Sequence, residues 1–313
     1  MRIIKPKRLE KNDVIGIIAP SSPPEDSTRI ENGVRYLESL GYRVEIGKHV
    51  YSKKGYLAGE DHERLEDIHS MFRNKDVKAI ICVRGGYGSH RLLDKIDYKL
   101  IRNNPKIFVG FSDITALQMA IYQKSRLVTF AGPMLAVDFG GEINPYTEEN
   151  FWKMITNSKK IGKIVNPENE KYYMLNKGRG EGKLLGGNLS ILTSLAGTDY
   201  LPLFNDAILL IEEIREAPYR IDRMLAHLKL TGAFNKLKGI VLGRFVNCYE
   251  SEGSKNSLTL NEVIADHLGS LKIPVIYNFN HGHVADSLTI PWGIDCKLNS
   301  SRCLIELVEN AVE

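Results

Sequence analysis

The chain places a serine, a glutamate and a histidine after three separate strand-like segments. Ser112 follows an apolar run that ends at Gly110, and a stretch of helical periodicity comes after it. Glu212 closes the apolar run 207–211, and His283 follows a later run. A hydroxyl, a carboxylate and an imidazole are the groups of a nucleophilic triad, whose order along a chain varies between folds. The residues permit a Ser–Glu–His triad and do not by themselves establish one.

A serine at a strand-to-helix turn has a second interpretation. Its hydroxyl can cap the helix by accepting a bond from a free backbone N–H, with Asp113 in the first turn favouring the positive helix end. Because caps are far commoner than nucleophiles, Ser112 alone favours the cap. A nucleophile would need backbone N–H groups nearby for an oxyanion. The glycine turn, residues 84–88, can supply one, since glycine lets the backbone approach a reacting oxygen.

Other residues carry competing chemistry. The glycine turn could cradle a phosphate, but it lacks the Gly-x-Gly-x-x-Gly and Walker spacings, and a simple tight turn explains it equally well. His281 and His283, with Asp286 near them, are a candidate metal site without a third ligand at a convincing spacing. Arg84 and Arg244, both at strand ends, are candidates for binding a substrate carboxylate.

The two acids that end the run 207–211 are expected to differ. Glu212 adjoins a strongly apolar strand, so we expect it to be partly buried and to need a partner. Glu213 fits a surface acid at a strand end better.

Composition limits the function classes. A length of 313 residues predicts two domains, and 43% hydrophobic with 26% charged residues is ordinary for a globular protein. The net charge of +4 is too small and too evenly spread to indicate a nucleic-acid partner. The four cysteines show no Cys-x-x-Cys spacing, which is typical of free thiols in a reducing compartment. With neither a signal-peptide pattern nor a bilayer-spanning run, we expect a cytoplasmic protein without a membrane partner.

Strands and helices alternate along the first part of the chain, which predicts βαβ units and a mostly parallel sheet flanked by helices. The expected strands are near residues 13–19, 43–46, 78–83, 106–110 and 127–130. In such sheets ligands bind beyond the carboxyl ends of the strands, where both the glycine turn and Ser112 lie.

The later part of the chain does not continue the regular alternation of strands and helices. The pattern breaks down over 138–182, where Asn144-Pro145 and the segment 166–169 are turn signals. Helices and short, evenly spaced strands follow, which predicts a β-rich α/β domain. We therefore expect an N-terminal α/β domain at 1–137, a connection at 138–182 and a C-terminal domain at 183–313.

Seven motifs resemble those of the L,D-carboxypeptidases, a serine peptidase family that also includes microcin C self-immunity proteins. The motifs are Arg84-Gly85-Gly86-Tyr87-Gly88, Gly110-Phe111-Ser112-Asp113-Ile114-Thr115, Gly186-Gly187-Asn188-Leu189, Ile211-Glu212-Glu213, Pro218-Tyr219-Arg220-Ile221-Asp222-Arg223, Gly282-His283 and Leu288-Thr289-Ile290-Pro291-Trp292-Gly293. They occur in the family's order, and the resemblance runs from about residue 13 to 293.

The resemblance implies a cytoplasmic serine peptidase, commonly a homodimer, that trims the terminal D-alanine from muropeptide tetrapeptides in peptidoglycan recycling. It implies Ser112 as the nucleophile, Glu212 and His283 as its triad partners, and the backbone N–H groups of Gly86 and Asp113 as the oxyanion hole. Since the nucleophile and its partners fall in different predicted domains, it also implies an active site between them. We expect no cofactor and no metal.

Two alternatives stay open. The microcin branch of the family cleaves peptidyl or aminoacyl nucleotides and needs an aromatic surface for the base, for which Trp152 is a candidate. The Arg-Gly-Gly-Tyr-Gly form of the glycine turn resembles the carboxypeptidase branch instead. From another class, a non-catalytic module could hold nucleotide phosphates at the two turns of the sheet edge.

Overall fold

The computed structural model describes residues 2–164, 166–167, 171–249 and 257–313. Of the predicted turn at 166–169, the residues Glu168 and Asn169 lie outside the described part. The chain divides into two compact units. The first unit comprises Met1–Lys159, Thr289–Gly293 and Asn310–Glu313, and the second comprises Lys160–Leu288 and Ile294–Glu309.

The helices and strands follow in chain order. The first group is β1 (Val14–Ile18), α1 (Thr28–Ser39), β2 (Arg43–Ile46), α2 (Asp61–Arg73), β3 (Val77–Cys82), α3 (Tyr98–Asn103), β4 (Ile107–Gly110), α4 (Thr115–Ser125), β5 (Thr129–Ala131) and α5 (Pro145–Thr156). The second group is β6 (Gly162–Ile164), β7 (Tyr173–Asn176), β8 (Arg179–Asn188), α6 (Leu189–Leu195), β9 (Ala207–Ile214), α7 (Pro218–Leu230), β10 (Gly239–Val246), α8 (Leu260–Leu268), β11 (Val275–Tyr277), β12 (Ile290–Trp292), β13 (Asp295–Asn299) and β14 (Leu304–Leu307). Short helical turns occupy Ser89–Leu92, Ser112–Ile114, Leu135–Phe139 and Ser300–Arg302.

The first unit is built on a six-stranded sheet in the order β12-β5-β4-β3-β1-β2. All neighbouring pairs are parallel except that of β5 with β12, which comes from near the end of the chain and completes the edge. Every residue of β1 and β4 is buried, as expected for parallel strands covered on both faces. The five strands predicted for this sheet are present, with the last one shifted to Thr129–Ala131.

The second unit is built on an eight-stranded sheet in the order β6-β14-β13-β8-β9-β10-β11-β7. Its centre, from β8 to β11, is parallel, whereas the outer pairs are antiparallel. The predicted fold class is therefore confirmed: a mostly parallel α/β sheet in the N-terminal part and a mixed, β-rich α/β sheet in the C-terminal part.

Two expectations about the whole chain can be compared with the structure. The four cysteines are free, and Cys82, Cys248 and Cys296 are buried, as small apolar side chains often are. Among the residues described, no helix is both long and apolar enough to cross a bilayer.

Candidate functional site

The turn between β4 and α4 holds Ser112 in a strained conformation. The strand ends at Gly110, where a methyl group would overlap the side chain of Ile114, so the chain can turn this tightly only at a glycine. Phe111 is still extended at φ −153°, and Ser112 then adopts φ +62°. A side-chain-bearing residue rarely adopts a left-handed φ, and such strain often marks functional turns. The turn places Ser112 at the carboxyl edge of the sheet, the position that a nucleophile would need, and its role as nucleophile stays a prediction.

The helix-cap interpretation of Ser112 is wrong. The residue that precedes α4 is Ile114, and the residue that precedes the short turn is Phe111; neither position has a side-chain cap. Within the described part of the first unit, the Ser112 hydroxyl makes no hydrogen bond, and the residue is half-buried. The Ser112 hydroxyl therefore caps neither the short turn nor α4.

The glycine turn packs directly against residues 111–113, named here the nucleophile turn after the role that the family resemblance implies, because β3 and β4 are parallel neighbours. A methyl group on Gly85 would lie 2.9 Å from Cβ of Ser112 and 3.3 Å from the backbone nitrogen of Asp113. Gly86 follows with φ +108°, which only glycine adopts easily. Neither Gly86 nor Asp113 donates its backbone N–H to another group in the described residues of this unit. Two neighbouring turns thus present the two candidate oxyanion donors.

In the second unit, Glu212 and His283 form a direct pair. Nδ1 of His283 lies 2.8 Å from Oε2 of Glu212, whose side chain is fully buried, as its apolar strand predicts. The Asn188 amide donates to the other oxygen at 3.2 Å. A carboxylate on Nδ1 holds the proton there and leaves the Nε2 lone pair as a base. The His283 side chain is 20% exposed, in contrast to the fully buried Glu212.

Glu213 is not the surface acid that the sequence indicates. It is 2% exposed and is surrounded by donors. Its carboxylate accepts bonds from the Ser190 N–H at 2.8 Å, the Ser190 hydroxyl at 2.6 Å, the Ile214 N–H at 2.8 Å and the Asn188 amide at 3.0 Å. Burial raises the pKa of Glu213, and these donors oppose the rise. The Asn188 amide therefore joins Glu213 to Glu212 in one buried network.

The two candidate arginines lie in different units. Nη1 of Arg84 donates to the carbonyl of Pro23 at 3.3 Å in the first unit. In the second unit, the guanidinium of Arg244 donates to Oδ1 of Asn278 at 2.6 Å and twice to Oδ1 of Asn280, at 3.1 and 3.0 Å. These amides fix the orientation of Arg244 beside the loop that leads to His283. Binding of a carboxylate by either arginine stays a prediction.

The geometry gives little support to a metal site at His281, His283 and Asp286. His281 is buried and uses Nδ1 to bond the carbonyl of Leu288 at 2.7 Å, and burial lowers its pKa. No group of three or more His, Cys, Asp or Glu side chains able to hold a metal occurs in the part of the chain that the structure covers.

Trp152, the candidate aromatic surface for a nucleotide base, packs within the first unit. Its ring stacks on Tyr42 with centroids 5.2 Å apart, and its Nε1 donates to the hydroxyl of Tyr36 at 2.9 Å. This half-buried tryptophan belongs to an aromatic cluster with α1 and α5 residues rather than to a free surface.

Sequence reasoning missed the polar residues that support these groups. The hydroxyls of Ser21, Ser22 and Ser190 bond Asp113, the N–H of Tyr87 and Glu213 in turn, and no pattern described above singles them out. A usable signal existed for Ser21 and Ser22, since they follow β1 and Pro20 at the carboxyl edge where ligands bind.

Two family models match the chain. The model described as the LD-carboxypeptidase N-terminal domain matches residues 15–132, and the model described as the LD-carboxypeptidase C-terminal domain matches residues 181–298. A probable murein peptide carboxypeptidase of Bacillus subtilis is 42% identical over 300 residues, which cover 95% of this chain and 92% of that protein.

Solved structures agree with this assignment. A structure of the microcin self-immunity protein MccF with glutamyl sulfamoyl guanosine has a TM-score of 0.90 at 30% identity and covers 99% of both chains; the curated MccF is from Escherichia coli. A muramoyltetrapeptide carboxypeptidase from Oxalobacter formigenes has a TM-score of 0.83 at 32% identity, covering 96% of this chain and 100% of the other. From the two domain matches and these similarities, the chain belongs to the LD-carboxypeptidase family of serine peptidases.

Proposed function

We propose that this chain is a serine LD-carboxypeptidase that removes the terminal D-alanine from murein tetrapeptides during peptidoglycan recycling. The observation that carries the proposal is the 2.8 Å bond from Nδ1 of His283 to the buried carboxylate of Glu212. A paired, buried acid on Nδ1 is how a histidine is prepared as a general base. The murein and muramoyltetrapeptide carboxypeptidases among its relatives support this substrate class.

In the proposed mechanism, Nε2 of His283 takes the proton from Ser112 while the hydroxyl oxygen attacks the carbonyl of the L-centre. Glu212 orients the imidazole and stabilises it once it is charged. The backbone N–H groups of Gly86 and Asp113 receive the oxyanion, each contributing roughly 3 kcal/mol by analogy with measured holes. His283 then protonates the departing D-alanine, and water clears the acyl-enzyme with the same base.

Binding of the substrate's free carboxylate is assigned in this proposal to Arg84 and Arg244, because a guanidinium binds a carboxylate through two parallel hydrogen bonds. The proposal also includes the cytoplasmic location and the homodimer that the family resemblance implies. Size-exclusion chromatography with light scattering tests the dimer.

The test is Ser112→Ala, assayed by mass spectrometry on a murein tetrapeptide. We expect turnover to fall by at least ~10⁴-fold, since loss of a triad nucleophile leaves only binding and the oxyanion hole. Ser39→Ala is the matched control, because its hydroxyl is exposed and donates to a carbonyl of its own helix, that of Tyr36. Near-normal turnover by Ser112→Ala would eliminate the serine mechanism.

A second candidate function is hydrolysis of acyl nucleotides, favoured by the 0.90 TM-score to MccF in complex with glutamyl sulfamoyl guanosine. Incubation with tetrapeptide, tripeptide and an aminoacyl-sulfamoyl nucleoside side by side separates the two activities. Release of the amino acid from the nucleoside, with the tetrapeptide intact, would replace the carboxypeptidase proposal. A rise in melting temperature with ATP or NAD, without turnover of any substrate, would indicate the nucleotide-binding module.

A further inference from the structure

We infer that the adjacent serines Ser21 and Ser22, named here the serine bridge, are positioning residues that set the spacing between the two oxyanion donors. The inference rests on the proposed function, because it concerns the same turns. The bridge follows β1 and Pro20 at the carboxyl edge of the first sheet. Each serine contacts a different turn, and all the contacts lie within the first unit.

Ser21 holds the nucleophile turn. Its buried hydroxyl donates to Oδ2 of Asp113 at 2.5 Å. The same oxygen accepts the N–H of Ser89 at 2.9 Å, and Asp113 is only 1% exposed. A buried carboxylate depends on such donors, since an unpaired one is costly. Because the backbone N–H of Asp113 is itself a proposed oxyanion donor, these bonds fix the donor's own residue.

Ser22 holds the glycine turn on both sides of Gly86. Its backbone N–H donates to the carbonyl of Gly85 at 3.2 Å, and its hydroxyl oxygen accepts the N–H of Tyr87 at 3.0 Å. The hydroxyl also donates to the carbonyl of Tyr56 at 2.7 Å, which fixes its direction. A methyl group on Gly86 would lie 2.5 Å from this hydroxyl, so the two segments are in close contact.

Arg64 links the segment before the serine bridge to the end of the glycine turn. Its buried guanidinium donates through Nη1 to the carbonyl of Pro20 at 2.6 Å and to the carbonyl of Gly88 at 3.0 Å. Nη2 pairs with Asp61 at 2.6 Å. The residue before the bridge and the last residue of the glycine turn therefore share one cation.

This arrangement matters because an oxyanion hole works through preorganised donors. The proposed donors belong to turns after two different strands, so their separation is not fixed by one backbone segment. Two consecutive residues, each bonded to one turn, provide a common reference of fixed length. A displacement of 1 Å at a reacting group can cost about 100-fold in rate.

The test measures kcat and KM on murein tetrapeptide for Ser21→Ala, Ser22→Ala and the double variant. We expect kcat to fall roughly 10- to 100-fold in each single variant, with KM changed by less than about threefold. The kcat of the double variant should be little lower than that of the less active single variant. Either substitution alone already leaves the distance between the two oxyanion donors unfixed. Ser39→Ala should match the wild type.

Further variants guard against simple loss of folding. Ser21→Cys retains a small side chain at the buried position while weakening the bond to Asp113, and Ser22→Thr keeps the hydroxyl and should retain most of the wild-type kcat. Affinity for a tetrahedral phosphonate analogue of the tetrapeptide should fall in parallel with kcat, whereas affinity for the tripeptide product should not. A merely structural role would not separate these two affinities.

Three results would overturn the inference: kcat within about threefold of the wild type in the alanine variants, a change confined to KM, or full additivity in the double variant. In all three, the wild type still turns over and Ser112→Ala does not. If instead the wild type leaves the tetrapeptide intact, or Ser112→Ala cleaves it, then the proposed function is wrong, and the inference about the serine bridge is wrong with it.

Discussion

The two halves of the proposed site are built by different physical means. In the first unit, Ser112 is placed by backbone geometry: a φ of +62°, an adjoining glycine turn and a hydroxyl without a bond within the described part of that unit. In the second unit, His283 is placed by side chains, through Glu212 at 2.8 Å and the amide of Asn188 behind it. The first half should therefore respond to volume added at its turns and to loss of the serine bridge, and the second half mainly to lost charge.

The energetic costs of the two halves also differ. A left-handed φ at a residue with a side chain costs of the order of 1–3 kcal/mol and persists only when surrounding structure enforces it. The fully buried β4 and the buried face of α4 provide that enforcement around Ser112. A buried carboxylate is costly unless donors and a partner compensate it, which Asn188 and His283 do for Glu212.

The largest effect expected in the second half is that of Glu212→Gln. The substitution keeps the shape but removes the charge that holds the Nδ1 proton and stabilises the imidazolium, so kcat should fall by about 10⁴-fold. Steady-state kinetics on murein tetrapeptide, with a melting curve for each protein, measures this. Glu181→Gln is the control, because Glu181 is 61% exposed and pairs only loosely with Lys297 at 3.5 Å. A loss smaller than about tenfold would mean that the charge of Glu212 is not what prepares His283.

In the first half, Gly85→Ala changes no charge and should still impair the reaction. The new methyl group would lie 2.9 Å from Cβ of Ser112 and 3.0 Å from the carbonyl of Phe111, so the nucleophile turn must shift. We expect kcat to fall by about 100-fold. Gly141→Ala is the matched control, since its methyl group would mainly meet the flexible end of Arg29. Equal activity of the two variants would contradict the steric account of this half.

Much of the fold and part of the site could be predicted from the sequence. Apolar runs of strand length alternating with helical periodicity located β1 to β5, and the carboxyl-edge rule placed Ser112 and the glycine turn together. The choice between cap and nucleophile could not be made, because it depends on the φ of Ser112 and on the bonds of one hydroxyl. Neither quantity is encoded in a local residue pattern.

The central strand β8 shows a different limit. It contains Gly180, Gly182, Gly186 and Gly187. Because glycine is depleted in strands, the sequence pattern does not predict a strand here. The structure explains the glycines by close backbone approach: a methyl on Gly182 would overlap the carbonyl of Asp206.

The burial of Glu213 was not predicted either, since alternation predicts that one of two neighbouring strand residues faces solvent. In this sheet the start of α6 covers that face as well.

The smallest effect that separates the halves is that of Glu213→Gln. Gln retains one acceptor oxygen and sets its amide against buried donors, which should cost roughly 1–3 kcal/mol of the free energy of unfolding. Through Asn188, the change should also disturb Glu212 and lower kcat roughly tenfold. Because burial raises the pKa of Glu213, the folded chain holds this proton more tightly than the unfolded chain. The stability that Glu213 contributes is thus full below its unfolded pKa and declines as the pH rises through its folded pKa.

Urea unfolding at several values between pH 4 and pH 7 measures this, and the gap between wild type and Glu213→Gln should narrow towards pH 7. Asp67→Asn in the first unit is the matched variant: burial raises the pKa of Asp67 to about 6, and its carboxylate accepts the N–H of His49 at 3.0 Å. The stability difference between wild type and Asp67→Asn should also narrow as the pH rises, but kcat should stay at the wild-type value, because Asp67 supports neither turn. If Asp67→Asn lowered kcat as much as Glu213→Gln, a buried acid would affect the reaction from either unit, and the side-chain network behind His283 would lose its special role.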